Sequence, residues 1–177
     1  FIITLIKNGF KVTRWHGPAD TIFAAHRIDN ELDVKTGVAS TLAAFVSAAG
    51  GASVGQYGPL VHFGATLGAF FKATLNLSIT TNVILGGGVA AAISAGFNAP
   101  LAGIIFAHEA ILRHFSPKAL APIALASGTA FAVHSYLWDT STPFLQSYTA
   151  MEIGPMILIS ITAGPFFGLV ALLFMSA

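Results

Sequence analysis

From Thr36 to Phe71 the chain carries no Asp, Glu, Lys or Arg, and after Lys72 none appears again before Glu109. These two charge-free stretches constrain the fold more than any other feature. Soluble domains average about 25% charged residues; here 8% are charged and 55% are hydrophobic. Since roughly 20 predominantly apolar residues span a bilayer as a helix, each stretch has room for more than one crossing. A transmembrane β-barrel would alternate in hydrophobicity over segments of roughly ten residues, and no such alternation is present. The expected class is an all-α, multi-pass integral membrane protein.

Nine of the fifteen charged residues are crowded into the opening segment, from Lys7 to Lys35. A net charge of +1 without a basic cluster gives no reason to expect nucleic acid as a partner. With no cysteine, disulfides, thiol nucleophiles and thiolate metal sites are excluded. No charged region followed by a small-residue cleavage site opens the chain, so a signal peptide is not expected. The chain starts at Phe1 and stops within an apolar run at Ala177, which reads as part of a longer membrane domain.

Breaks at proline and glycine divide the chain. Phe1 to Gly9 is expected to be the end of a membrane helix, and Lys11 to Lys35 an interfacial stretch with a short helix started by Pro18. Apolar helices are expected over Gly37 to Val54, Pro59 to Leu77, Ser78 to Gly96, Leu101 to His114 and Ala119 to Trp138. A polar loop over Asp139 to Tyr148 precedes a last helix from about Met151. Grouped by organisation, 1–36 is helix tail and interface, 37–115 the segment with the most distinctive motifs, and 116–177 the helices that follow. The pairs Gly51/Gly55, Gly64/Gly68 and Gly164/Gly168 have the small-xxx-small spacing that lets helix backbones approach closely.

The turn Gly55-Gln56-Tyr57-Gly58-Pro59 raises the first question of chemistry. The first amides of a helix lack intrahelical partners, and the helix dipole puts partial positive charge there. The amides of Gln56, Tyr57 and Gly58 can therefore converge on a small anion, with glycines allowing close approach. Binding without a full positive charge permits fast release, which conduction requires. The plainer reading is that Gly-x-x-Gly-Pro ends one helix and caps the next, and spacing alone favours it.

"GASVGQYGPLVHFGA" resembles the segment of the CLC chloride channel and transporter family whose signature reads G-[KR]-E-G-P, followed by a pattern like x-V-x-x-G-A. Gly55, Gly58, Pro59, Val61, Gly64 and Ala65 match. A second stretch, Phe97-Asn98-Ala99-Pro100-Leu101-Ala102-Gly103, is similar to the family's F-N-A-P-[LI]-A-G at all seven positions. The resemblance covers Gly37 to Phe115 best. It implies a bundle of tilted and broken helices with inverted-repeat architecture, here truncated. It also implies a homodimer in the lipid bilayer of the cell membrane, each subunit passing chloride or a similar small anion, with no cofactor. The family's later pore elements have no counterpart here, so this chain alone is not expected to close a pore.

The departures from the pattern bear on mechanism. Where the family has its gating glutamate, this chain has Tyr57, and Gln56 replaces the basic residue before it. A carboxylate can imitate a bound halide and leave on protonation; a tyrosine, which ordinarily titrates near 10, can do neither. After F-N-A-P-L-A-G the family's acidic pair reads Glu109-Ala110, so the position of the proton-transfer glutamate is alanine. The resemblance therefore implies passive anion conduction without proton exchange, with Gly55, Gln56, Tyr57, Gly58 and Pro59 at the anion site or gate. His16-Gly17-Pro18 is similar to the family's G-S-G-I-P loop, with His16 where the anion-coordinating serine would stand. A proton-coupled antiporter using another proton route, and a subunit that does not conduct because Tyr57 plugs it, are the alternatives within the fold.

From another class, Gly51-Ala52-Ser53-Val54-Gly55 spells the G-x-S-x-G of serine hydrolases, with His108 or His134 as partner. That motif requires a strand before it and a helix after it, and Ser53 is expected near the end of a helix. Gly86-Gly87-Gly88 lacks the Lys-Ser/Thr of a phosphate loop and is read as close helix packing. The six histidines include no H-x-x-x-H pair, so a metal site is not expected. Glu109 and Arg113 have the spacing of a helical ion pair. No enzymatic activity is expected.

Overall fold

The computed structural model describes residues 2–27, 31–53, 55–138 and 153–176. The chain divides into two compact units, Phe1–Asp139 and Thr140–Ala177. Every regular element among the described residues is helical, in agreement with the expected all-α class. The expected loop at 139–148 and the first residues of the last segment lie outside the described residues.

In the first unit, α1 (Ile2–Phe10) is followed by the short α2 (Pro18–His26), with Pro18 in its first turn as expected. Helix α3 (Val34–Ala49) starts earlier than its apolar pattern implies, because Asp33 caps it by accepting from the amides of Lys35 and Thr36. It also ends five residues short of Val54. Gly50 closes the helix, and Gly51 (φ 85°) and Gly55 (φ 72°) turn the chain with left-handed backbone that glycine adopts freely. The expected Gly51/Gly55 packing pair is thereby corrected to a pair of turn glycines.

Helix α4 (Tyr57–Leu75) and helix α5 (Thr81–Phe97) both stop at an asparagine in the left-handed conformation, Asn76 (φ 50°) and Asn98 (φ 54°). Asparagine tolerates this conformation better than most residues. Pro100 then starts α6 (Pro100–Phe106) at its first turn, where its missing N–H costs nothing. The chain continues as a π-helical segment, Ala107–Leu112, and leaves it through Arg113 (φ 56°). Wider winding and the left-handed exit remove the i, i+4 geometry expected for Glu109 and Arg113, and no ion pair joins them. Helix α7 (Pro117–Leu137) completes the unit.

The core lies where α4, α5, the π-helical segment and α7 meet, with Val61, Ala65, Leu85, Val89, Ala107, Ile111 and Ile123 fully buried. Helices α4 and α5 pack antiparallel through glycine. A β-carbon at Gly64 would run into the Gly88 carbonyl, one at Gly68 into that of Ile84, and one at Gly96 into the Leu60 side chain. The glycine triplet reading is borne out, since Gly86 likewise packs under Leu112 and Ile123. Helix α2 is tied to the π-helical segment by His26, whose Nδ1 is 2.8 Å from the Ile22 carbonyl oxygen and Nε2 3.2 Å from that of Leu112.

Among the residues whose side chains are described, one helix, α7, is both long and apolar enough to cross a bilayer by itself. Val34–Ala49, Thr81–Phe97 and Pro100–Leu112 are apolar but shorter. At 1.5 Å per residue such helices fall short of a hydrocarbon core about 30 Å thick. Where such a helix crosses only part of a bilayer, irregular backbone at its ends is tolerated only where protein or a polar cavity covers it.

The second unit is α8 (Ile153–Ser176), which has no charged residue and holds the Gly164/Gly168 pair. Its Thr162 hydroxyl donates back to the Leu158 carbonyl at 3.0 Å, which satisfies the polar group within the helix. Leu158, Ile161, Phe166 and Phe167 are exposed on its surface.

Candidate functional site

Two helix N-termini meet in the first unit. A β-carbon on Gly58, in the first turn of α4, would rest 3.4 Å from Cγ of Pro18, in the first turn of α2. Between them lies a cavity of 120 Å³ lined by His16, Gly17 and Pro18 on one side and by Gly58, Pro59 and His62 on the other. Ser40 and Thr41 of α3 complete its wall. Sequence reasoning placed His16-Gly17 and Gly58-Pro59 in one site from separate motifs, and the fold brings them together.

The amides available here are few. In α2, Pro18 has no N–H, and the Gly17 amide donates to the Asp20 carboxylate at 2.8 Å. The amides of Asp20 and Thr21 donate to the Gly17 carbonyl. Asp20 is in turn paired with Arg14. Helix α2 thus caps itself and presents little more than the Ala19 amide. In α4 the amides of Tyr57 and Gly58 precede any intrahelical acceptor, whereas that of Leu60 bonds to the Gln56 carbonyl at 3.0 Å.

Tyr57 turns the other way. Its ring sits 5.4 Å from that of Phe106 in an edge-to-face contact and 6.3 Å from that of Phe97. It is 44% exposed and is not among the residues lining the cavity. Gly55 and Gln56 are exposed in the turn before α4. Glu109 and Ala110 lie on the π-helical segment, and Glu109 lines a separate cavity of 470 Å³ with His108 and Arg113. Ser53 lies in the irregular link between α3 and α4, without the strand a nucleophile elbow needs.

His62 is the residue that sequence reasoning passed over. It is 2% exposed, lies one helical turn beyond Gly58 on the same face, and lines the cavity. Its Nδ1 is 3.0 Å from the hydroxyl of Thr21, which is itself fully buried. Its ring meets that of His16 edge-on, with centroids 6.1 Å apart. His62 Nε2 and His16 Nδ1 are both buried without a hydrogen-bond partner. The Gly58/His62 spacing on α4 was the available signal.

His16 also lines a larger cavity of 780 Å³, whose walls include Arg14, Asp20, Arg27, Glu31, Lys72 and Thr81. Lys72 there donates to the Thr81 hydroxyl. The small cavity thus adjoins a charged vestibule through one histidine. Near the rim, hydrogen bonds from the Thr36 hydroxyl and from the amides of Thr36 and Lys35 hold the Asp33 carboxyl below its ordinary value, against a smaller opposing effect of burial.

One helix long and apolar enough to cross a bilayer, shorter apolar helices beside it and two helix N-termini facing one small cavity fit an integral membrane protein with a site among its helices. The chain matches the family model described as voltage gated chloride channel over residues 1–177, and it belongs to that family. It is 27% identical over 130 residues to a ClcB-like chloride channel protein of Ralstonia nicotianae, covering 71% of this chain and 30% of that protein. It is 42% identical over 73 residues to chloride channel protein CLC-e of Arabidopsis thaliana, covering 41% of this chain and 10% of that one. It is 25% identical over 170 residues to H(+)/Cl(-) exchange transporter 7 of Homo sapiens, covering 78% of this chain and 21% of that one. The chain therefore spans well under half the length of these relatives. No solved structure matches it.

Proposed function

We propose that the complete protein conducts chloride or a similar small anion across a cell membrane, passively and as a homodimer in the lipid bilayer. The observation that carries this reading is the meeting of the α2 and α4 N-termini at one small cavity beside a charged vestibule. Backbone amides and imidazoles supply partial positive charge there, which attracts an anion without holding it. The names of the relatives, chloride channels among them, support the choice of ion.

The reading without proton coupling is supported by what stands at two positions. Tyr57 and Ala110 replace the carboxylates that the family pattern assigns to gating and proton transfer. Neither side chain can carry a proton in and out at working pH. The similarity to an H(+)/Cl(-) exchange transporter favours the second reading, proton-coupled exchange by another route. The test is flux through the complete protein in liposomes. Chloride is expected to run down its own gradient without moving protons; a proton gradient that drives chloride uphill replaces the first reading by the second.

A further inference from the structure

We propose that the Nε2–H of His62 is the side-chain donor of the anion site, and that Thr21 is the positioning residue that fixes it. This rests on the reading of the α2/α4 cavity as an anion site and adds a residue that the backbone-amide picture lacks.

The argument starts from Thr21. Its hydroxyl is fully buried, and its hydrogen needs an acceptor. The ring nitrogen Nδ1 of His62 stands 3.0 Å away. When the hydroxyl donates, Nδ1 is the acceptor and the proton of the neutral ring lies on Nε2. The opposite arrangement leaves the Thr21 hydrogen unplaced and gives Nε2 a bare lone pair. The first arrangement satisfies one more buried group, and it leaves a single N–H with no protein acceptor.

That N–H belongs to a residue lining the cavity. The need for a side-chain donor is plain from α2, whose first-turn amides are consumed by Asp20 and by the Gly17 carbonyl or are absent at Pro18. The Asp20 carboxylate also lies at the N-terminus of α2 and opposes an anion there, although Arg14 offsets it. The α4 amides and His62, one turn apart on one helix face, then form the donor set. A neutral imidazole adds a directed hydrogen bond without a full charge, so the ion is selected and still released. His16, whose Nδ1 is also unpartnered, stands across the cavity beside the vestibule.

The experiment uses the complete protein, purified in detergent, with sodium chloride as the probe. Chloride affinity is measured by calorimetry for wild type, His62→Leu, His62→Gln and Thr21→Val. His62→Leu is expected to weaken chloride binding about tenfold or more, the loss of a hydrogen bond to a charged group. His62→Gln, which keeps an N–H donor, is expected to recover most of it. In nitrogen-15 spectra of wild type, the protonated nitrogen of His62 is expected to be Nε2, to shift on adding chloride, and to lose that preference in Thr21→Val. If wild type binds no chloride, the anion reading itself fails. If wild type binds and His62→Leu binds as tightly, the anion reading stands and the role of His62 is overturned. Should His62→Leu not fold, a wild-type His62 signal indifferent to chloride overturns it equally.

Discussion

The carbonyl oxygen of Gly88 occupies the place where a β-carbon on Gly64 would have to be, and the Gly64 carbonyl does the same to Gly88. Helices α4 and α5 thus touch backbone to backbone, and this contact fixes the helix that carries His62 and Gly58. A rigid carbonyl cannot yield as a flexible side chain can. Gly64→Ala and Gly88→Ala are each expected to lower stability by about 1–3 kcal/mol or more. Gly87→Ala is the control, since its β-carbon would meet Ala126 at an ordinary 3.6 Å. Unfolding in mixed micelles checks this, and equal losses at Gly87 and Gly88 would contradict it.

A second contact between helices is made by hydroxyls. Ser94 Oγ donates to the Ser127 carbonyl at 2.8 Å, and Ser127 Oγ donates to the Pro100 carbonyl at 2.8 Å. Both acceptors lie within helices and keep their helical N–H partners when a hydroxyl is removed. Ser127→Ala is therefore expected to cost only about 0.6 kcal/mol, the average for such bonds in membrane bundles. Ser127→Leu should cost more, because Gly103 leaves little space there: its own β-carbon would stand 3.2 Å from Ser127 Oγ. A ranking of Leu below Ala below wild type in unfolding midpoint is the expected result.

The sequence made the helices legible where physics is local. Charge-free stretches marked the apolar segments, and Asn98-Ala99-Pro100 marked a break because each residue suits one step of it. Helix ends went astray where local signals competed. Asp33 capped α3 among charges that looked interfacial, and Gly50 and Gly51 ended it within an unbroken apolar run. The π-helical winding at Ala107–Leu112 left no mark in composition. His16 and His62 lie far apart in the chain and meet only because α2 folds onto α4, so a search for paired histidines at helical spacing could not find them. The direction of the Tyr57 side chain was equally out of reach, since Phe97 and Phe106 arrive from α5 and α6.

Asp33 gives a pH prediction with a definite sign. Its carboxyl is held below the ordinary value, first by the Thr36 hydroxyl and further by the amides of Thr36 and Lys35. A depressed value in the folded state means that the carboxylate's stabilisation is fully present above the unfolded value, near 3.9. It is lost as the pH falls through the folded value. At neutral pH, Asp33→Ala is expected to cost about 0.5–2 kcal/mol, the usual range for a lost helix cap. The difference between wild type and Asp33→Ala should stay level above about pH 5 and shrink below about pH 4. A gap that widens with acid would contradict the assignment.

Tyr57 carries the last prediction. Its ring is held against Phe97 and Phe106, contacts worth about 0.5–1.5 kcal/mol each. A glutamate there loses that anchorage, and the exposed amides at the start of α4 attract its carboxylate. In Tyr57→Glu the side chain is expected to compete with the permeant anion when ionised and to withdraw when protonated. Anion flux through the complete protein in liposomes should then be low at neutral pH and rise with acid as a carboxyl with an ordinary value of about 4.3 begins to protonate. Wild type and Tyr57→Phe should show no such rise, because neither carries a group that titrates in that range. Tyr57→Ala separates conduction from blockage: a large gain in flux over wild type identifies the tyrosine as a plug. A Tyr57→Glu profile that matches Tyr57→Phe at every pH would remove position 57 from the ion path.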